Sequence, residues 1–178
     1  YQEAGDLNSA SALAIESSSL IMDGGYATDL LVILEKFEES DLEPKVWAEI
    51  LFIMGKNSYM VGEWKKALRY LTECSDLVTV IHNDELKVRA VCQSGHILEE
   101  HNELEKALGT FKNGLLISKK INFLYGIAES YRGVGRTYWR MSNHEKAIEN
   151  YKKGLKISIK EGYNGLSGST YIDLGNTY

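Results

Sequence analysis

Small and apolar residues recur along the chain in columns spaced by forty. Glycine stands at Gly55, Gly95, Gly135 and Gly175, and alanine at Ala67, Ala107 and Ala147, with Ala27 one step earlier. Leu31, Leu71, Phe111 and Tyr151 form a bulky apolar column, and Leu51, Val91, Tyr131 and Tyr171 form another. Several columns on one period mark an internal repeat, in which each unit is a supersecondary element that neighbours must cover.

Within one period the apolar positions follow helical spacing twice. Residues 86–100 carry Val88, Val91 and Leu98 with small Ala90 and Gly95 between them. His101-Asn102 interrupts this pattern, and Asn102 is the expected N-cap of the next helix. Residues 103–120 then set out Leu104, Ala107, Leu108, Phe111, Leu115 and Ile117. The same break is expected at Ser142-Asn143 between helices 125–141 and 144–160, at Gly62, and at Asp23-Gly24-Gly25. Pro44 opens a helix at its first position, where a missing N–H costs nothing. A mid-helix glycine costs about 1 kcal/mol against alanine. Its repetition at one register position therefore predicts close approach of a neighbouring helix. One helix pair cannot bury both faces alone, whereas stacked pairs bury them in turn. The expected organisation is one array over 1–178. Its units are about 5–44 (degenerate, with Ile15 in place of the glycine), 45–84, 85–124, 125–164 and a partial 165–178.

The pattern Tyr131-x-x-Val134-Gly135-x-x-Tyr138 followed by Ala147 and Tyr151, and its copy Tyr171-x-x-Leu174-Gly175-x-x-Tyr178, resembles the tetratricopeptide repeat. The resemblance covers nearly the whole chain. It implies an all-α fold, a right-handed superhelix (αα solenoid) of antiparallel helix pairs, whose concave face binds protein or peptide. The usual period is 34 residues. A period of forty implies longer helices, roughly 25 Å for about 17 residues. Such long versions look like those of cell-polarity adaptors and of sensor segments in bacterial and archaeal regulators. Tyr1-Gln2-Glu3-Ala4-Gly5-Asp6 reads as a helix-end turn from a preceding repeat. Together with Trp64-Lys65-Lys66-Ala67 it resembles the helical region after the ATPase of STAND-class signal-transduction proteins.

Composition narrows the function. Hydrophobic content of 44% and charged content of 25% are those of a globular chain. A net charge of -5 argues against a bulk electrostatic grip on nucleic acid or on an anionic membrane. No apolar run approaches the roughly 18 residues of a membrane helix. Two cysteines, Cys74 and Cys92, make no disulfide framework, which points to a reducing, cytoplasmic setting. A chain that opens on Tyr1 and stops at Tyr178 inside a first helix is expected to be a piece of a longer protein. That end should leave Tyr171, Leu174 and Tyr178 exposed or covered by another molecule.

Catalytic sets are not apparent. Met54-Gly55-Lys56 lacks the glycine-rich phosphate loop, and Gly133-Val134-Gly135 lacks both a preceding strand and the third glycine of a dinucleotide site. Cys92 and His96 share a helix face, but two ligands do not make a structural metal site, and an ordinary groove-lining pair is the preferred reading. No catalytic residue, cofactor or metal is expected. What remains is a surface. The resemblance and the forty-residue register place Phe52, Lys56, Tyr59, Arg89, His96, Arg132, Arg136, Trp139, Arg140 and Asn176 in the partner-binding groove. Phe52, Lys56 and Cys92 stand where a chaperone-type carboxylate clamp needs other residues, so that mode is disfavoured. Arg132, Arg136 and Arg140 put three like charges on one stripe, opposing the helix by roughly 0.2–0.5 kcal/mol per pair. Either an acidic partner offsets this, or Glu129, Glu99, Glu100 and Asp173 do so from within. Trp139 is either a partner anchor or buried against the turn that follows it. The expected function is a protein- or peptide-binding scaffold without chemistry, with acidic groups on the partner. The alternatives are a sensing segment of a larger signal-transduction ATPase or transcription regulator, and a self-association module that pairs through open solenoid ends.

Overall fold

A computed structural model describes residues 11–18 and 25–178. The Tyr1–Asp6 turn and the Asp23-Gly24 part of the first break lie outside the described residues. Among the described residues there are nine helices and no strand. They are α1 (residues 11–18), α2 (Ala27–Leu34), α3 (Pro44–Met60), α4 (Trp64–Val80), α5 (Asp84–Glu100), α6 (Leu104–Lys120), α7 (Leu124–Arg140), α8 (His144–Lys160) and α9 (Asn164–Gly175), with a short 3-10 turn at Glu39–Asp41. None is long and apolar enough to cross a membrane. The chain forms two compact units, Tyr1–Leu86 and Lys87–Tyr178, whose boundary falls in the first turn of α5. The all-α, helix-pair architecture read from the sequence is the one observed.

The helices from α3 to α8 are each 17 residues long, the length that the surplus over the usual repeat implied. One turn geometry joins them. Gly62, His82, Asn102, Ser142, Asn122 and Gly162 all take positive φ, between 55° and 86°. The residue after each donates its N–H to a carbonyl five positions back, as in Glu63 N to Ser58 O (2.8 Å) and Asn143 N to Tyr138 O (2.9 Å). This is the Schellman closure, which satisfies carbonyls left over at a helix C-terminus and reverses the chain. The forty-residue sequence period is thus two twenty-residue modules with identical ends. Asn102 is accordingly not an N-cap. It is the left-handed residue that stops α5, a conformation asparagine tolerates better than most residues, and Glu103 precedes α6 without a side-chain cap bond. Asn143 does cap α8, accepting from Lys146 N. Pro44 stands in the first turn of α3 as expected.

The column residues meet in pairs. In the first unit Leu71 of α4 lies over Gly55 of α3, where a Cβ would come within 2.7 Å of Leu71 Cγ. In the second unit Phe111 covers Gly95 and Tyr151 covers Gly135, with distances of 2.8 and 2.6 Å to the same hypothetical atom. Gly133 of α7 also abuts the Phe111 ring, where an added Cβ would clash with the same ring atoms, and Phe111 is fully buried. Gly175 has nothing described within 4 Å. Leu174, expected to be exposed or covered by another molecule, is instead buried, because it packs back onto Ala147 and Tyr151 of the preceding pair. Its neighbours Tyr171 and Tyr178 are exposed.

Two substitutions separate close approach from ordinary helix propensity. Gly135→Ala is expected to lower unfolding free energy by about 1–3 kcal/mol through overpacking against Tyr151. Gly109→Ala, in α6 with open space around it, is expected to raise it by up to about 1 kcal/mol. Denaturant titration of both variants reads the contrast.

Candidate functional site

Four helices of the second unit, α5, α7, α8 and α9, build a cavity of about 490 Å³ lined by Glu99, Arg132, Arg136, Trp139, Arg140, Tyr151, Asp173 and Asn176. The i, i+4, i+8 spacing of the arginines on α7 places their guanidinium groups along one wall. Gly135, on the same helix, lets Tyr151 of α8 approach, and Tyr151 is fully buried at the cavity's lining. Burial pushes the Tyr151 phenol up, and the charge of Asp173 adds to this, so it remains a neutral hydroxyl.

Each arginine has a carboxylate within the unit. Arg132 Nε donates to Asp173 Oδ2 at 2.7 Å, and its Nη1 lies 3.9 Å from Glu129 Oε1. Arg136 Nη2 stands 2.9 Å from Glu99 Oε2, and Arg140 Nη1 donates to Glu99 Oε1 at 3.4 Å. Glu99 is only 1% exposed, and its Oε2 accepts no aligned hydrogen bond despite the nearby guanidinium. The three internal acids Glu99, Glu129 and Asp173 balance the three arginines in number.

His96 of α5 closes the other end of this network. Its Nε2 lies 2.7 Å from Glu129 Oε1, so that nitrogen donates to the carboxylate, while the buried Nδ1 has no partner. The imidazole packs edge-on against Phe111, with ring centroids 5.0 Å apart. Burial acts to raise the Glu129 carboxyl, but the His96 hydrogen bond and charge, with Arg132 and Arg136, hold it below its ordinary value. Cys92 turns to Ser130, Sγ to Oγ 3.5 Å, and burial pushes its thiol up to about 12. Cys92 and His96 therefore serve different partners, and the pair does not converge on one ion.

The structure brings five of the sequence-derived groove residues together here: Arg132, Arg136, Trp139, Arg140 and Asn176. Trp139 is 41% exposed at the rim, so burial against its turn does not occur. His96 adjoins through Glu129. Arg89 is exposed on α5 and does not line the cavity. Phe52, Lys56 and Tyr59 belong to the first unit. Phe52 and its neighbour Ile53 are buried, which removes them as presented anchors, because α3 uses them for packing. Lys56 and Tyr59 are partly exposed. Sequence reasoning had Tyr151 only as a packing residue and did not pair His96 with Glu129. The latter contact spans 33 residues and leaves no local signature.

Arg136→Ala leaves the buried Glu99 with only the longer Arg140 contact and is expected to cost about 1–3 kcal/mol of stability, whereas Lys153→Ala at an exposed pair should leave the melting curve unchanged. The depressed Glu129 carboxyl contributes stability that is present above the ordinary value of 4.5 and is lost as pH falls through its lower folded value. Melting temperatures followed downward from pH 5 should fall, and fall less in Glu129→Gln.

No family model matches the chain. It is 22% identical over 128 residues to tetratricopeptide repeat protein 29 of Trypanosoma brucei brucei (strain 927/4 GUTat10.1), covering 72% of this chain and 27% of that protein. The chain thus spans about a quarter of this relative. Among solved structures it is similar to a STAND protein with a tetratricopeptide repeat sensor from Pyrococcus horikoshii, with a TM-score of 0.79 at 21% identity over 97% of this chain and 27% of that one. It is also similar to a Rap protein complexed with competence and sporulation factor, with a TM-score of 0.71 at 15% identity over 92% and 52% of the two chains. Sequence columns, helix-pair packing and these likenesses agree that the chain is built as a tetratricopeptide-type helical repeat.

Proposed function

We propose that the chain is a binding module for an acidic protein or peptide segment, gripped at the cavity of the second unit, with no chemistry of its own. The observation that supports this is a wall of three guanidinium groups, each held by a carboxylate of the same unit, beside an exposed Trp139. Guanidinium forks match carboxylates in a bidentate geometry. A ligand carboxylate exchanging with Asp173 at the cavity edge needs no new cation, and the internal acids hold the arginines in place until it arrives. The volume falls within the range of about 300–1,000 Å³ typical of ligand sites and takes a few side chains rather than a folded surface. Trp139 offers the apolar anchor that such contacts depend on. The two reduced, buried cysteines suit a cytoplasmic setting. Lys56 and Tyr59 form a separate candidate patch on the first unit.

The likeness to a repeat sensor favours a second reading, in which this chain is the sensing segment of a larger regulator. Both readings use the same cavity and differ in what the ligand's arrival controls.

The test is fluorescence anisotropy with a labelled peptide alternating Glu and Leu and with its Gln–Leu counterpart. Wild type is expected to bind only the acidic peptide, with affinity that falls as salt rises. Trp139→Ala should weaken that binding by about tenfold or more while leaving the melting temperature unchanged. Equal binding of both peptides, or binding indifferent to Trp139→Ala, removes this reading.

A further inference from the structure

Charge is divided unevenly along the chain. Residues 1–86 hold 16 acidic side chains against 6 basic, whereas residues 87–178 hold 9 acidic against 14 basic. The division is written into the repeat. Glu73 and Asp76 of α4 precede Lys153 and Lys156 of α8 by eighty residues, two full periods. One register face of the second helix in a pair therefore changes sign between the two units.

On the first unit that face borders a groove of about 420 Å³. Trp47, Leu77 and Val80 form its apolar part, and Glu39, Glu73 and Asp76 stand around it. Val80 is 75% exposed. Arg69 meets Glu73 only at 3.7 Å, a loose surface pair that leaves the rim acidic.

The second unit carries the opposite arrangement. Tyr131 of α7 has Lys119 of α6 and Lys153 of α8 at 5.2 and 5.9 Å from its ring centroid. Tyr138, two helical turns on, has Lys112 and Lys146 at 5.9 and 5.3 Å. Cation–π contact holds an ammonium group in place without neutralising it. Lys153 also pairs with Glu149. Among the described residues no carboxylate lies within ion-pair distance of Lys112, Lys119 or Lys146. Leu116 sits four residues after Lys112 and three before Lys119, on the same stripe of α6, and is 69% exposed.

An apolar groove rimmed by carboxylates and an apolar knob framed by ammonium groups complement each other. We propose that the chain self-associates head to tail, the Leu116 surface with its lysines docking on the Trp47–Val80 groove of a second copy. The chain's own charge division selects this occupant. A polyanion such as nucleic acid or an acidic membrane answers the lysine-rich surface alone and leaves the acidic groove without a partner, whereas a second copy brings a partner for both faces. The contact is heterologous, since the two surfaces differ. Its charges set register and encounter rate, and the buried apolar pair opposes dissociation.

Light scattering of the 178-residue chain against concentration tests this, at low ionic strength and at roughly 1 M salt, where charges are screened beyond about 3 Å. Mass is expected to rise with concentration at low salt and to rise less steeply at high salt, where only the apolar contact remains. Lys112→Glu with Lys119→Glu, and separately Glu73→Lys with Asp76→Lys, should each weaken association by about tenfold or more. Mixing the two variants should restore it, because a reversed knob then meets a reversed groove. A misfolded variant is not rescued in this way, so restoration also controls for folding. A wild-type chain that stays monomeric at low salt overturns the proposal. So does reversal without effect, or a mixture that does not recover.

Discussion

The insertion of one bulky ring into a glycine notch on the facing helix is the contact on which the rest of this structure depends. Phe111 shows it in its strongest form, abutted by Gly95 of one helix and Gly133 of another with no room for a methyl group at either. Each glycine weakens its own helix by about 1 kcal/mol. Burial of a large apolar side chain is worth roughly 1.5–3 kcal/mol, so one ring shared between two notches offsets the loss and fixes the spacing of three helices at once. Tyr151 repeats the contact over Gly135, and the position that brings it there also makes it part of the cavity lining. Packing and site are therefore set by the same column of residues.

The cavity turns a local liability into a network. Three arginines on one helical stripe repel, and a carboxylate as buried as Glu99 is costly in isolation. Placed together, Arg136 and Arg140 supply the charge that Glu99 lacks, and Glu129 ties Arg132 to His96. Such a network has little net charge, yet its members are held apart by helix geometry and stay addressable from the open side where Trp139 stands. Exchange of a partner at its edge costs less than creating a charge there, the physical basis for reading the cavity as a binding site.

Identical Schellman turns explain why the array tolerates such varied surfaces. Six turns close with the same positive-φ residue and the same i to i−5 bond, although the residue is glycine, asparagine, histidine or serine. Backbone hydrogen bonding fixes each reversal, and the outward faces are left free to differ. They do differ, from acid-rich to lysine-rich between equivalent positions of α4 and α8.

Much of this was legible in the amino-acid sequence. Period, helix pairing, helix length and the roles of Gly55, Gly95 and Gly135 follow from residue size at fixed intervals, because a notch and its filler must recur together. The arginine stripe and its candidate acids were visible for the same reason. What the sequence left open depended on contacts between residues far apart in the chain. Asn102 suits both ends of a helix, and only the backbone's left-handed turn chose between them. Phe52 and Trp139 are both large and apolar, yet one is taken up by packing while the other remains at a rim. Glu99 and His96 found their partners 33 to 41 residues away. Hydrophobic periodicity specifies which face of a helix is covered. Which side chains within that face meet, and which remain for a partner, is decided by the angle and depth at which neighbouring helices pack, and that exists only in the folded chain.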